Sequence, residues 1–148
     1  MKSVLLVEDS RILQLASQRA LTRAGYRVLT AEDGEKAVAL AHSDHPDIIL
    51  LDMMLPKLSG PEVLNCLKAD PSTAHIPIVV LTGLSKKNED KLRKDGAVAF
   101  MEKSQCADDP NLLLLTVEKV LIEDAANKET FEKFPVEARK PGLAVHRQ

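Results

Sequence analysis

The chain contains no run approaching about 18 consecutive apolar residues, so no membrane-spanning helix is predicted. Its first segment, Met1-Lys2-Ser3-Val4-Leu5-Leu6-Val7, reaches an acid at Glu8 after too few apolar residues to form the core of a secretory signal peptide. Cysteine is scarce: Cys66 and Cys106 lie far apart, form no CxxC and have no histidine beside them. That excludes a disulfide framework or a zinc motif and fits reduced thiols in a cytoplasmic protein. Charge of one sign is also lacking. Against 20 Lys+Arg stand 22 Asp+Glu, a net charge of -2, which argues against nucleic acid or a membrane surface as the main partner. No internal repeat is present.

Hydrophobic residues make up 45% of 148 residues, enough for the core of one domain followed by a tail. Four short apolar runs stand out: Val4-Leu5-Leu6-Val7, Ile48-Ile49-Leu50-Leu51, Ile78-Val79-Val80-Leu81 and Ala97-Val98-Ala99-Phe100-Met101. They do not alternate with polar residues, as expected of parallel strands covered on both faces. The more polar run Arg27-Val28-Leu29-Thr30-Ala31 fits an edge strand. Helical patterns lie between the runs. Ile12, Ala16, Ala20 and Ala24 recur every four residues ahead of Gly25, predicting a helix with that row as its apolar side. A second helical pattern follows Asp33-Gly34, with Ala37, Val38, Leu40 and Ala41. Ser59-Gly60-Pro61-Glu62 reads as a capping box before Val63, Leu64 and Leu67. Ser85 is placed to cap a segment Lys86–Asp95 stopped by Gly96, and Asn111 to open a leucine-rich helix to about Ala126. The order is strand then helix, five times over, which predicts an α/β fold with a parallel sheet between helical layers. Residues 127–148 hold Pro135, Pro141 and mixed charge without a period, and are expected to form a mostly disordered tail.

In open α/β sheets, ligands bind beyond the carboxyl ends of the strands. Here those ends read Glu8-Asp9, Asp52, Thr82 and Lys103. Singly, each is commonplace, as a helix cap or a solvated loop residue. Together they deliver carboxylates, a hydroxyl and an amine to one rim. Two carboxylates about 5 Å apart repel by roughly 3 kcal/mol at an effective dielectric near 20. Three exceed what one lysine offsets, so the rim calls for a hard divalent ion with oxygen ligands, and Mg²⁺ suits a site of few carboxylates. Such an ion also neutralises an incoming phosphoryl group, leaving Asp52 to act as a nucleophile and form an acyl phosphate.

The motifs Val7-Glu8-Asp9-Ser10, Ala31-Glu32-Asp33-Gly34-Glu35-Lys36-Ala37, Leu51-Asp52-Met53-Met54-Leu55-Pro56 with Ser59-Gly60, Ile76-Pro77-Ile78, Leu81-Thr82-Gly83 and Lys103 resemble those of response-regulator receiver domains, in the same order, from residue 4 to about 123. The resemblance implies a flavodoxin-like, doubly wound five-stranded parallel sheet of order 2-1-3-4-5 with five helices, as a receiver domain over residues 1–126. It implies Asp52 as phosphoacceptor, with Mg²⁺ held by Asp9, Asp52 and the backbone carbonyl of Met54, and by Glu8 through water. It places Thr82 and Lys103 on phosphoryl oxygens and Phe100 at an aromatic switch position. The donor it implies is a phosphohistidine on a sensor histidine kinase or histidine phosphotransfer protein. By the resemblance, Met54 and Leu84 take positions that flank the path of the hydrolytic water; both are apolar here, which predicts a long-lived phosphorylated state. Ser104 departs from the family, which usually has proline there after a cis bond. A cis bond to a non-proline residue costs about 3–4 kcal/mol, so the stretch from Lys103 to Pro110 is expected to take another course.

Other readings share the fold. A flavin carrier would need a Ser/Thr/Gly-rich loop where Glu8-Asp9 stand. An aspartyl phosphatase would need an acid at Met54. A pseudo-receiver acting only by partner binding would lack the rim residues. A stand-alone regulator and a receiver cut from a longer protein both remain open. Two further expectations concern output. Leu92 is the only large apolar residue of Lys86–Asp95, which marks that segment as the mobile part of a switch. In the last helix Leu113, Val117, Val120 and Leu121 share one face while Leu115 and Ile122 point away, offering a strip for a homodimer, another partner or the tail with its Phe131 and Phe134.

Overall fold

The computed structural model describes residues 1–83 and 89–133. Five strands, β1 (Ser3–Val7), β2 (Arg27–Ala31), β3 (Ile48–Asp52), β4 (Ile78–Thr82) and β5 (Ala99–Glu102), form one parallel sheet of order β2-β1-β3-β4-β5. The described helices are α1 (Arg11–Arg23), α2 (Gly34–Asp44), α3 (Gly60–Ala69), α4 (Glu89–Lys94), α5 (Lys103–Asp108) and α6 (Pro110–Lys133).

The continuous apolar runs are explained by the two faces. Successive strand residues point to opposite sides, and both sides are covered. Leu5, Val7, Ile49, Leu51, Ile78 and Val80 pack with Ala37 and Ala41 of α2, Val63, Leu64 and Leu67 of α3, and Leu92 of α4. Their alternates Val4, Leu6, Ile48, Leu50, Val79 and Leu81 pack with Leu21 of α1 and Leu113, Val117 and Val120 of α6. Every residue of β3 is buried, whereas the edge strand β2 is buried only at Ala31.

Three expectations are corrected. The row Ile12, Ala16, Ala20, Ala24 is not the inner side of α1: Ile12 is 80% exposed, and the buried residues are Gln14 and Leu21. Small alanines at a four-residue spacing do not decide a face by themselves. Leu21 and a hydrogen-bonded Gln14 set the rotation instead. Six helices are described, because α5 begins directly at Lys103 where a loop was expected. The Lys103–Ser104 bond is trans, as are all the described peptide bonds. The last helix continues past Ala126 to Lys133. Ala125 and Ala126 are strong helix formers, Lys128 pairs with Asp124 at 2.9 Å one turn earlier, and neither Gly nor Pro interrupts the run before Pro135. Residues 134–148, the rest of the expected tail, lie outside the described residues, as do Leu84, Ser85 and the first part of Lys86–Asp95.

Local signals elsewhere behave as expected. Ser59 and Glu62 form the capping box of α3, with Pro61 in its first turn. Gly96, at φ 117°, turns the chain from α4 into β5. Lys68, near the end of α3, donates to the carbonyls of Ala74 and Ile76 at 2.9 and 2.8 Å, which ties the entry of β4 to α3. Gly60 allows the start of α3 to close on the end of β3. Its N–H donates to the Met53 carbonyl at 3.2 Å, and a Cβ there would lie 2.8 Å from the Asp52 carbonyl oxygen. Gly60→Ala is therefore expected to lower stability by about 1–3 kcal/mol, the usual cost of overpacking, read as a drop in the urea midpoint.

Candidate functional site

The parallel register brings the strand ends to one edge. Asp52 ends β3, Thr82 ends β4, Glu8 follows β1 and Lys103 follows β5. Glu8 is anchored by its own N–H, which donates to the Ala31 carbonyl of β2 at 3.0 Å. Asp52 and Glu8 are buried, at 1% and 3% exposure. Asp9 is exposed and lies at the mouth. Each of the three offers a carboxylate oxygen within 4.8 Å of the other two.

Lys103 closes this group. Its Nζ donates to Asp52 Oδ2 at 2.8 Å and to Glu8 Oε2 at 3.2 Å. The other Asp52 oxygen accepts from the Met54 backbone N–H at 3.0 Å, and Glu8 Oε2 also accepts from the Ser10 N–H at 3.1 Å. Burial, followed by the hydrogen bond and charge of Asp52, pushes the Glu8 carboxyl up to about 7, against the opposing pull of the Ser10 N–H and Lys103. For Lys103 burial works against the charged amine, but Asp52 and Glu8 outweigh it and raise its pKa above the ordinary lysine value. One amine thus bonds two of three clustered acids. Hard oxygen donors, an exposed Asp9 open to water, and an excess of negative charge together fit a small divalent cation.

Thr82 stands at the same edge without a strong bond of its own. Its hydroxyl is 3.4 Å from the Met101 carbonyl and 3.5 Å from that of Gly83, both long for an O–H donor. No hydrogen bond joins it to Asp52 among the described residues. Phe100 lies in β5 opposite Val80, two residues before the partner of Thr82, and is half-buried. The Arg93 guanidinium carbon sits 4.6 Å from the centre of its ring. The Met54 backbone belongs to the site, but its side chain is 76% exposed. Its expected companion Leu84 lies outside the described residues.

The model of the response regulator receiver domain matches residues 4–124. The chain belongs to the response-regulator receiver family. The polar-differentiation response regulator DivK of Brucella ovis is 36% identical over 103 residues, covering 69% of this chain and 84% of the relative. Among solved structures, chemotaxis protein CheY4 of Vibrio cholerae is 32% identical with a TM-score of 0.72, over 81% of this chain and 98% of that one. A response regulator from Desulfuromonas acetoxidans is 30% identical with a TM-score of 0.72, over 82% and 97%.

Two residues of this receiver's site escaped the sequence reading. Gln14 is buried under the acidic group, where Nε2 donates to the Glu8 carbonyl at 3.2 Å and Oε1 accepts from Arg11 at 3.3 Å. An amide between Leu13 and Leu15 was the available signal. The other is Arg93, whose guanidinium lies over the Phe100 ring and which no motif in the sequence marks. The raised Glu8 carboxyl has a measurable consequence. Between its ordinary value of 4.5 and about 7 the folded state binds more protons than the unfolded state. Stability of the metal-free receiver therefore falls as pH rises through that window. Glu8→Gln removes this slope, so in EDTA the variant gains on the wild type between about pH 5 and 7, measured by urea unfolding at each pH.

Proposed function

We propose that this receiver accepts a phosphoryl group from a phosphohistidine onto Asp52, with Mg²⁺, and thereby switches a protein–protein contact in the cytoplasm. The observation that carries this is a buried Asp52 bonded to Lys103 and within 4.8 Å of Glu8 and Asp9. Asp9, Asp52 and the Met54 carbonyl would hold the cation directly, and Glu8 through a bound water. When bound, the ion supplies charge neutralisation to the carboxylates and the incoming phosphoryl group.

The protein's own residues do the rest. An Asp52 carboxylate oxygen attacks phosphorus, the phosphorus–nitrogen bond of the donor breaks, and the donor imidazole leaves with the electron pair. Lys103, which now divides its amine between Asp52 and Glu8, transfers one hydrogen bond to a phosphoryl oxygen. The Thr82 hydroxyl, held only by long contacts, turns to another oxygen. Phe100 then follows Thr82 and alters the surface of α4 and β5. The apolar Met54 side chain cannot orient a hydrolytic water, which favours a long-lived phosphorylated state.

The donor in this reading is a sensor histidine kinase or a histidine phosphotransfer protein. The receiver unit comprises residues 1–126. The output partner is a protein, or a second copy meeting the outer side of α6, where Leu115 and Ile122 are 63% and 61% exposed. No described helix is long and apolar enough to cross a membrane.

Acetyl phosphate with Mg²⁺ should add the mass of one phosphoryl group to the full chain, and EDTA or Asp52→Asn should abolish the gain. Undiminished labelling of Asp52→Asn would remove Asp52 as acceptor. A wild type that takes no label would point to a receiver that works by binding alone.

A further inference from the structure

A cation lies over the Phe100 ring. Arg93 belongs to α4 and is exposed; its guanidinium carbon lies 4.6 Å from the Phe100 ring centre. That is well inside the range of about 6 Å in which the electron-rich face of an aromatic ring attracts a cation. Among the described residues no carboxylate lies within 4.0 Å of Arg93, so the ring is its specific partner there. The inner side of the same ring packs on the core layer that α2, α3 and α4 share.

Register connects this contact to the phosphorylation edge. Val80 pairs with Phe100 and Thr82 with Glu102, in parallel strands. Residues two apart on a strand share a face, and paired residues of parallel neighbours point the same way. Thr82 and Phe100 therefore stand on one face of the sheet, Thr82 at the rim and Phe100 one step below it on the next strand. A Thr82 side chain that turns toward a phosphoryl group on Asp52 changes the space into which this ring can move. A ring moving toward the rim leaves the guanidinium behind.

We infer that Arg93 is a positioning residue that holds Phe100 in its unphosphorylated place, so that the Arg93–Phe100 contact opposes phosphorylation of Asp52. This rests on the reading of Asp52 and Phe100 proposed above. An interaction made in one state only shifts the equilibrium toward that state by its own strength. A cation stacked on a ring at a solvent-accessible site corresponds to a factor of about two to five in an equilibrium constant. Removing Arg93 should therefore tighten binding of a phosphoryl mimic by that factor. The sign is diagnostic. Taking one positive charge off the protein would, through the general field alone, leave binding of an anion unchanged or weaken it.

The test uses the full chain in Mg²⁺ buffer with beryllofluoride, which coordinates a carboxylate oxygen as a phosphoryl mimic, followed by ¹⁹F NMR. Arg93→Ala is an exposed change to the best helix former, so folding is preserved. It should bind beryllofluoride about two- to fivefold more tightly than wild type, and Arg93→Lys, which retains a cation, should fall between them. In a Phe100→Leu background the Arg93→Ala effect should vanish. Unchanged or weaker binding by Arg93→Ala, or the same gain without the Phe100 ring, would overturn the inference while leaving the receiver reading intact. Failure of the wild type to bind beryllofluoride at all would overturn both.

Discussion

Asp52 and Glu8 occupy a position at which carboxylates are costly, buried at the end of a parallel sheet and within 4.8 Å of a third acid. Desolvation and mutual repulsion both act against them. The site exists because the backbone and Lys103 offset this cost: the N–H groups of Met54 and Ser10 and the Lys103 amine each donate to these carboxylates. The offset is incomplete: burial first, and then the hydrogen bond and charge of Asp52, push the Glu8 carboxyl up to about 7. Much of the rest of the fold serves this edge. The sheet register aligns the strand ends, Gly60 brings α3 close behind Asp52, and Gln14 of α1 holds the backbone of Glu8.

In the proposed reading that imbalance is what would make the edge responsive. A fully neutralised pocket would have no use for a cation or a phosphoryl group. Here both would relieve charges that the protein leaves partly unmatched. In the proposed reading, the amine that now bonds Asp52 and Glu8 would also meet the incoming group, so the change would require a shift of hydrogen bonds and no rebuilding of the sheet. Thr82, with only long contacts, and Phe100, one step below it and under the Arg93 guanidinium, lie between that edge and α4.

Much of this was legible in the sequence because burial on two faces demands unbroken apolar runs, and the residue after each run then falls at the rim. Ile48 to Leu51 ending at Asp52 is the plainest case; Arg27 to Ala31, more polar, was legible as an edge for the same reason. The capping box at Ser59 was legible because its chemistry is local. What depended on tertiary contact was not. The alanine row of α1 looked like an inner face, yet Gln14 is buried because its amide finds partners in Glu8 and Arg11, which no periodicity reveals. Ser104 signalled a changed course after Lys103 but not that a short helix would start there. The length of α6 was underestimated because loss of apolar period was read as loss of helix, although Ala125, Ala126 and the Asp124–Lys128 pair continue it without a core to face. Arg93 was invisible as a partner of Phe100 because six residues and a turn separate them.

The central claim is that this geometry singles out Asp52 among neighbouring acids as the residue that carries the phosphoryl group. Borohydride reduction converts an aspartyl phosphate to homoserine, marking the acceptor covalently. After incubation with acetyl phosphate and Mg²⁺, reduction and peptide mapping by mass spectrometry should find homoserine at position 52 alone. Homoserine at position 9 instead, with Asp52 unmodified, would contradict the claim.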